Sequence, residues 1–270
     1  MPNRDFPSAL FPTAQASASS GIVGATSFPL AANRPARPAV AIMQPYFLPY
    51  LGYFQLIAAV DEFIVYDNIK YTKKGWINRN RMLSNGADVM FSLPLKNAPN
   101  RLDVVERELA PGPHRWLAQL KGAYRHAPHY AQSVPLLETI AACPDTNLFR
   151  FLHHALLQCC AHLAIDTPIR ISSGIAIDHS LAAQDKVMAL CEALGARSYI
   201  NPIGGTGLYA GADFAARGID LHFLRARPLD YAQSGAAPFV PWLSIVDVLM
   251  FNPLDTVRAW VRGHYDLLRP

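Results

Sequence analysis

The sequence predicts an α/β fold: a mostly parallel, Rossmann-like three-layer sheet with helices on both faces and a helical insertion. Two stretches carry this prediction, because strand, loop, helix and strand patterns follow one another within residues 39–66 and again within residues 169–200. Neighbouring parallel strands need a crossover connection. Its right-handed form brings the loop after each strand to the carboxyl edge of the sheet, where open α/β sheets bind ligands.

The first 38 residues are rich in Ala, Ser, Pro and Gly and show no apolar periodicity. Such a segment buries too little apolar surface to offset the entropy lost on ordering, so residues 1–38 are expected to form a disordered tail. The alternative is that translation begins downstream of Met1. Residues 39–270 are expected to form a single α/β domain, since a chain of 270 residues with 51% hydrophobic residues can supply a sizeable core.

The opening unit of this domain is a strand at Ala39–Met43, a helix at Leu51–Val60 and a strand at Phe63–Tyr66. Pro45 and Pro49 restrict the backbone of the loop that precedes the helix. The loop and the helix start carry four candidate substrate-binding residues: Gln44, Tyr46, Tyr50 and Tyr53. Taken singly, the tyrosines also fit an ordinary core role, because aromatic side chains are often buried.

Polar and charged residues follow the second strand. Asp67 lies at its carboxyl end, where α/β enzymes place polar working groups, and is a candidate catalytic residue. The next segment combines side chains that stack on a ring with side chains that hold an anion, and its candidate substrate-binding residues are Tyr71, Lys73, Trp76, Asn78, Arg79 and Asn80. A solvated basic turn is the alternative interpretation. Asp88–Leu95 then predicts a strand at the edge of the sheet.

The middle of the chain predicts helices at His114–His126 and Asn147–Leu163, the second with Asp145 or Thr146 as its cap. The second β–α–β unit consists of a strand at Ile169–Ser172, a helix at Ser180–Leu194 and a strand at Tyr199–Ile200. The glycine-rich loop that follows contributes three candidate substrate-binding residues, Gly204, Gly205 and Tyr209. This loop matches neither a P-loop nor a dinucleotide fingerprint, but it should face the loop that begins at Gln44.

The last third predicts a strand at Ile219–Leu224 and helices at Ser244–Phe251 and Asp255–Leu267. Ser244 and Asp247 have the spacing of an N-terminal cap followed by an acidic first turn, which favours a structural role. The functional alternative makes Asp247 a second candidate catalytic residue that projects into the ligand cleft.

Several separate segments resemble, in order, the signatures of the WbqC-like family of bacterial proteins, found among genes for O-antigen and other surface polysaccharides. They are IMQPYFLPYLGYF, DEFIVYDNIKYTKKGWINRN, YINPIGGTGLY with Phe214 and Gly218 after it, Tyr231 with Gln233, and FVPWLSIVDVLMFN. The resemblance covers roughly residues 39–252 and adds Gln233 to the candidate substrate-binding residues. Many relatives carry His where this chain has Met43, so the group that such a His supplies is absent here.

The resemblance implies a role in making a polysaccharide precursor, with acyl or aminoacyl transfer onto a nucleotide-linked amino sugar as the first hypothesis. The expected partners are a nucleotide sugar or acyl donor and a carrier protein. An adenylyl-transferring nucleotidyltransferase is an alternative, although Tyr50-Leu51-Gly52-Tyr53 stands where that class has its two histidines. A non-catalytic binding or scaffold protein of the same pathway is the other alternative, because no nucleophile motif is found.

Composition narrows the remaining classes. A net charge of +4 without a concentrated basic stripe argues against a dedicated nucleic-acid binder. Four cysteines without zinc spacing predict reduced, largely buried thiols, and neither a metal nor a cofactor is expected. No apolar run is long enough to span a membrane, and the first residues lack the pattern of a secretion signal, so the expected location is the cytoplasm.

Overall fold

The computed structural model describes residues 35–112, 114–233, 235 and 238–270. The expected disordered tail therefore lies, for residues 1–34, outside the described residues. The strands in chain order are β1 (Ala39–Met43), β2 (Glu62–Val65), β3 (Arg79–Ser84), β4 (Ala87–Ser92), β5 (Ile169–Ile171), β6 (Ser198–Pro202), β7 (Asp220–Ala226) and β8 (Tyr265–Leu268). The helices are α1 (Leu51–Ala58), α2 (Arg115–Tyr124), α3 (Tyr130–Ala141), α4 (Leu148–His162), α5 (Ala183–Ala193), α6 (Gly211–Ala215), α7 (Ile245–Phe251) and α8 (Leu254–Gly263).

The main sheet has six strands in the order β5-β2-β1-β6-β7-β8. Every neighbouring pair is parallel except β7 and β8, which are antiparallel. The chain builds outward from β1 through β2 to β5 and then returns to the other side of β1 with β6. Numbered by appearance within the sheet, this order is 3-2-1-4-5-6, the order of dinucleotide-binding Rossmann sheets. The predicted mostly parallel α/β fold is thus confirmed.

Both faces of this sheet are covered, because neighbouring residues of β1 enter different hydrophobic clusters. Ala41 and Met43 pack with residues of α1, α4 and α8, whereas Val40 and Ile42 pack with residues of α5 and α6. Parallel strands buried on both faces have nearly continuous apolar sequences, as β1 does. The two clusters and the sheet between them form the three predicted layers.

The insertion between β2 and β5 contains β3, β4 and the helices α2, α3 and α4. The expectation that Asp88–Leu95 forms an edge strand of the main sheet is wrong, because β4 pairs only with β3, in a separate antiparallel hairpin. Asn85 and Gly86 make its two-residue turn with φ angles of 51° and 77°. Paired positive φ values are typical of the tight turns that close hairpins and explain the choice of Asn-Gly.

The expected helix at Asp255–Leu267 is also wrong in its second half. Helix α8 ends at Gly263, and the chain then enters β8, where Leu267 pairs with Leu224 of β7. Asp266 on β8 accepts hydrogen bonds from Arg225 at 3.0 Å and Arg227 at 2.6 Å, which fixes this edge. Cross-strand pairing therefore prevails over a pattern that also suits a helix.

Two further findings concern membrane-spanning helices and the cysteine thiols. Across the described ranges, no helix combines the length and apolarity that crossing a bilayer requires. All four cysteines are free, and three of them, Cys159, Cys160 and Cys191, are buried. Burial raises the pKa of these three buried thiols, to about 12 for Cys160 and Cys191, which leaves them as protonated core residues near neutral pH.

Candidate functional site

A crevice begins where β1 and β6 separate. Their ladder pairs Ala39 with Ser198 and Val40 with Tyr199, and no later pair of these strands is recorded within the described chain. By contrast, β1 stays paired with β2 through Met43, and β6 stays paired with β7 through Pro202. The carboxyl halves of β1 and β6 therefore diverge at the point where the strand order reverses, which is where open α/β sheets bind ligands.

The loop after β1 forms one wall of this crevice and is held from two sides. The Asn80 side chain on β3 donates to the carbonyl oxygens of Phe47 at 3.1 Å and Leu48 at 2.9 Å. The Ser244 hydroxyl, at the start of α7, donates to the same Leu48 oxygen at 2.7 Å. Leu48 has a φ of 44°, a conformation that L-residues rarely adopt without such restraint. Asn80 is thus a buried scaffold group for the loop.

The candidate binding residues of this wall differ in how deeply they are buried. The rings of Tyr46 and Tyr53 are buried with their centres 5.5 Å apart, and the Tyr53 hydroxyl donates to the Gln44 carbonyl at 2.8 Å. Burial raises the pKa of both phenols, so they stay uncharged. Gln44 and Tyr50 are only half-buried, and the ring centres of Tyr50 and Trp242 lie 6.1 Å apart in an edge-to-face arrangement. Gln44 and Tyr50 are therefore the residues of this wall that a ligand can reach.

The glycine-rich loop after β6 leaves the same carboxyl edge of the sheet, on the other side of the strand-order reversal. Tyr199 donates to Asn201 at 3.1 Å, and its hydroxyl lies 3.3 Å from that of Tyr209. A Cβ atom at Gly205 would lie 1.9 Å from the Asn201 side-chain nitrogen, so this position requires glycine. Gly205 is buried, whereas Gly204 and Tyr209 are half-buried. The absence of a side chain at Gly205 permits the close packing of Asn201, and Gly204 and Tyr209 keep part of their surface exposed.

Asp67 is 5% exposed and both of its carboxylate oxygens are engaged. One accepts from the Ser172 hydroxyl at 2.8 Å and the Ser173 amide at 3.0 Å, and the other accepts from the Ser173 hydroxyl at 2.5 Å. Burial alone would raise the pKa of Asp67, but these hydrogen bonds outweigh it and hold the pKa below its ordinary value. The ionised side chain fastens the end of β2 to the end of β5. The catalytic role predicted for Asp67 stays a prediction.

Lys186, in the first turn of α5, lies beside this network and was not singled out from the sequence. Its ammonium group is 3.3 Å from both the carbonyl and the side-chain oxygen of Asn68 and 5.5 Å from the Tyr66 ring centre. Burial lowers the pKa of Lys186, and the charges of Asp103 and Asp67 act in the opposite direction. A lysine at the positive end of a helix is electrostatically unfavourable, and this was the available signal.

A second set of positively charged side chains lies around Tyr71. The Tyr71 hydroxyl donates to Asn78 at 2.8 Å, and Asn78 in turn donates to the Leu93 carbonyl at 2.9 Å. The guanidinium carbon of Arg107 lies 4.1 Å from the Tyr71 ring centre, and the Arg79 Nε donates to the Gly75 carbonyl at 3.0 Å. The structure therefore brings Tyr71, Asn78 and Arg79 together and adds Arg107. No local pattern marked Arg107, because its ring partner lies far from it in sequence.

The two remaining residues of this segment have different surroundings. Lys73 is exposed. Trp76 is half-buried, its carbonyl accepts from the Phe47 amide at 3.2 Å, and its ring centre lies 5.9 Å from the Arg81 guanidinium carbon. Trp76 thus joins this segment to the loop after β1, while Lys73 extends into solvent.

Asp247 on α7 is fully buried among neutral donors. It accepts from the hydroxyls of Tyr124 at 2.9 Å and Tyr231 at 2.6 Å and from the Gln233 side chain at 2.9 Å. Burial raises the pKa of Asp247, and these three hydrogen bonds oppose the rise without cancelling it. Gln233 also bonds both backbone groups of Val240. Asp247 and Gln233 therefore hold the segment from Tyr231 to Val240 against α7.

The hydrogen bonds of the described residues place Asp67 and Asp247 in two separate networks. Ser244 caps α7 by accepting from the Val246 amide at 3.3 Å, and Asp247 lies in the first turn. The structural alternative for Ser244 is thus confirmed. The two carboxylates do not meet as an acid and base pair.

Gly205→Ala should destabilise the protein, because the added methyl group must displace the buried Asn201 side chain. Overpacking of this kind costs about 1–3 kcal/mol of unfolding free energy. Gly207→Ala is the matched control, because no atom lies within 4 Å of a Cβ added there. Thermal and urea unfolding of both variants measure the difference. Equal stability of Gly205→Ala and Gly207→Ala would contradict the close approach of Gly205 to Asn201.

Asp67 and Asp247 should change stability with pH in opposite directions. The lowered pKa of Asp67 means that its ionised form stabilises the fold above the ordinary value of 3.8, and this contribution is lost as the pH falls through the lower folded pKa. The raised pKa of Asp247 means that the folded chain holds this proton more tightly than the unfolded chain. Its ionisation therefore costs stability as the pH rises from 3.8 through the folded pKa.

Urea unfolding of the wild type, Asp67→Asn and Asp247→Asn from about pH 3 to about pH 7 measures both effects. As the pH is lowered, the unfolding free energy of the wild type should fall relative to Asp67→Asn and rise relative to Asp247→Asn. Differences of the same sign for the two variants would overturn the assignment of one ionised and one proton-retaining carboxyl group.

Comparison with known proteins gives a family but no solved relative. The sequence matches the WbqC-like protein family over residues 44–259. It is 30% identical over 167 residues to the uncharacterized protein Rv1507c of Mycobacterium tuberculosis, a match that covers 60% of this chain and 71% of that protein. No solved structure matches. The match begins at Gln44, the first residue of the crevice wall, and includes every candidate site residue. The chain therefore belongs to the WbqC-like protein family.

Proposed function

We propose that this protein is a transferase of surface-polysaccharide precursor biosynthesis that acts, by acyl or aminoacyl transfer, on a nucleotide-linked amino sugar. The divergence of β1 and β6 at the reversal of strand order carries the proposal. In open α/β sheets this position binds nucleotide-containing ligands. A reaction on a nucleotide-linked substrate places the protein in the cytoplasm.

Groups on the loops after β1 and β6 fit a ligand of this kind. The Gln44 side chain is half-buried and makes no hydrogen bond within the described chain, so its amide is available to a sugar hydroxyl or a base edge. Tyr50 and Tyr209 are half-buried and supply ring surface. Arg79 and Lys73 supply positive charge for an anionic group. Binding in one fixed orientation is itself a large part of catalysis in a two-substrate transfer.

The proposed chemistry is a balanced acyl transfer. The amine of the acceptor sugar attacks the donor carbonyl, an N–C bond forms, the bond to the donor leaving group breaks, and the amine proton passes to that leaving group or to water. Asp67 and Asp247 act here as positioning groups, because both oxygens of each carboxylate already accept hydrogen bonds. The pathway itself is supported by the resemblance of the ordered signatures to proteins found among O-antigen genes.

A non-catalytic binding protein of the same pathway is the second candidate. The engaged oxygens of Asp67 and Asp247 favour it, since neither group is poised to remove a proton. The nucleotidyltransferase alternative receives less support. Tyr53 stands where that class has its second histidine. It is buried, and its hydroxyl donates a hydrogen bond to the Gln44 carbonyl.

Turnover tests the proposal. The full chain is incubated with uridine-, guanosine- and thymidine-diphosphate amino sugars together with acyl-coenzyme A or aminoacyl donors, and mass spectrometry detects the acylated sugar. We expect product from one pairing and a loss of up to about tenfold in kcat/KM for Gln44→Ala, the value of one hydrogen bond to the ligand. Gln132→Ala on the exposed side of α3 is the matched control and should leave kcat/KM unchanged.

Two results would contradict this account. Product formation by Gln44→Ala with the wild-type kcat/KM would remove the loop after β1 from the site. Binding of an amino-sugar nucleotide without product from any donor would replace the transferase by the binding protein.

A further inference from the structure

Two basic side chains are buried in the described part of the chain, Arg107 and Lys186, and neither makes an ion pair there. A buried charge without a partner is costly, so each invites the question of what balances it. Lys186 lies in the field of Asp103 and Asp67, which partly balance its charge. Around Tyr71, the ring partner of Arg107, the other charge that acts on the hydroxyl is a second arginine, Arg79.

The hydrogen bonds of Arg107 leave most of its guanidinium unused. It is 4% exposed, and Nη2 donates to the Pro99 carbonyl at 2.9 Å. Its buried Nε has no hydrogen-bond partner among the described residues. Stacking on the Tyr71 ring at 4.1 Å holds the guanidinium plane in place but does not neutralise it. A guanidinium carries five N–H donors, so Arg107 retains donors for a ligand.

Arg79, the first residue of β3, is the second arginine of this cluster. Its Nε donates to the Gly75 carbonyl at 3.0 Å, and no other hydrogen bond or ion pair of its guanidinium is recorded in the described chain. Burial raises the pKa of Tyr71, and the charges of Arg107 and Arg79 both lower it, which shows that both arginines lie within electrostatic range of this hydroxyl. Arg79 and Tyr71 are half-buried, so a ligand can reach this cluster from the Arg79 side, whereas Arg107 is buried.

Nearby carboxylates are committed elsewhere. Glu106 accepts from the Asp103 amide at 2.8 Å, and Glu108 accepts from Lys96 at 2.5 Å. Neither Arg79 nor Arg107 forms an ion pair with a carboxylate among the described residues. A guanidinium matches the geometry of phosphate oxygens because it can present two parallel N–H donors.

We propose that Arg79 and Arg107 form a phosphate-binding subsite of the transferase, in which the Tyr71 ring supports the Arg107 guanidinium. This inference rests on the proposed function, and it names the part of the substrate that the subsite takes. The phosphate belongs either to the diphosphate of the nucleotide-linked sugar or to the phosphopantetheine of an acyl donor. Asn78 orients the Tyr71 hydroxyl, and Trp76 joins the subsite to the loop after β1.

Isothermal titration of the full chain with uridine diphosphate, coenzyme A and uridine tests the subsite. We expect the wild type to bind one of the two phosphate compounds, with an affinity that falls as salt is added. Arg107→Met and Arg79→Met should each weaken that binding about 10- to 100-fold, the value of a hydrogen bond between charged groups. Arg107→Lys should recover only part of it, because lysine keeps the charge without the planar fork.

Arg217→Met is the matched control, since Arg217 pairs with Glu192 on an exposed surface and should bind like the wild type. Thermal unfolding reports whether each variant is folded, and Arg79→Met, at a half-exposed position, carries the test if Arg107→Met does not fold. Loss of uridine diphosphate binding assigns the sugar nucleotide to the subsite, and loss of coenzyme A binding assigns the donor.

Unchanged binding by Arg79→Met, or a wild type that binds neither compound, would overturn the subsite. Neither result depends on turnover. A wild type that makes product with unchanged binding in Arg79→Met therefore refutes the subsite alone. A wild type that binds phosphate through these arginines without making product refutes the transferase alone.

Discussion

Backbone groups of the loop after β1 need hydrogen-bond partners outside the sheet, and the rest of the crevice depends on this constraint. Buried carbonyl groups without partners are strongly disfavoured, yet β1 and β6 have already separated where this loop begins. The partners come from Asn80 of β3 and Ser244 at the start of α7, which lie far apart in the chain. The hairpin insertion and the helix near the carboxyl terminus are thus both required to keep the crevice open and its wall in one conformation.

The two buried aspartates show that burial alone does not define a catalyst. Asp67 is surrounded by hydroxyl and amide donors that favour its ionised form, and it joins β2 to β5. Asp247 is more deeply buried, and its neutral donors do not fully offset the cost of its charge. Both use their oxygens to hold other segments in place. Among the candidate site residues, the Gln44 amide and the guanidiniums around Tyr71 retain unused hydrogen-bonding capacity.

Local sequence patterns were sufficient for the framework of the sheet. The apolar run of β1, the helix α1 and the strand β2 follow from periodicity, and the carboxyl-edge position of Asp67 follows from them. The hairpin of β3 and β4 was not predicted from the sequence. Arg79 and Asn80 were interpreted by their side-chain chemistry, although Asn85-Gly86 is the signal of a hairpin turn. Strand β8 was missed because its pairing with β7 is a long-range contact that no local pattern encodes.

The candidate site was predicted in its segments but not in its contacts. Tyr71, Asn78 and Arg79 were named from composition, yet their partner Arg107 comes from the connection that follows the hairpin. Asp67 and Asp247 were named as catalytic candidates from their positions in the sequence, but their hydrogen bonds to Ser172, Ser173 and three other side chains are long-range contacts that only the fold reveals.

A crystal structure of the full chain with a bound nucleotide-linked amino sugar tests the central claim most directly. The account predicts that the ligand lies at the carboxyl ends of β1 and β6, between the loop that begins at Gln44 and the loop that ends at Tyr209. A ligand bound at the amino edge of the sheet, or on a surface that touches neither loop, would contradict it.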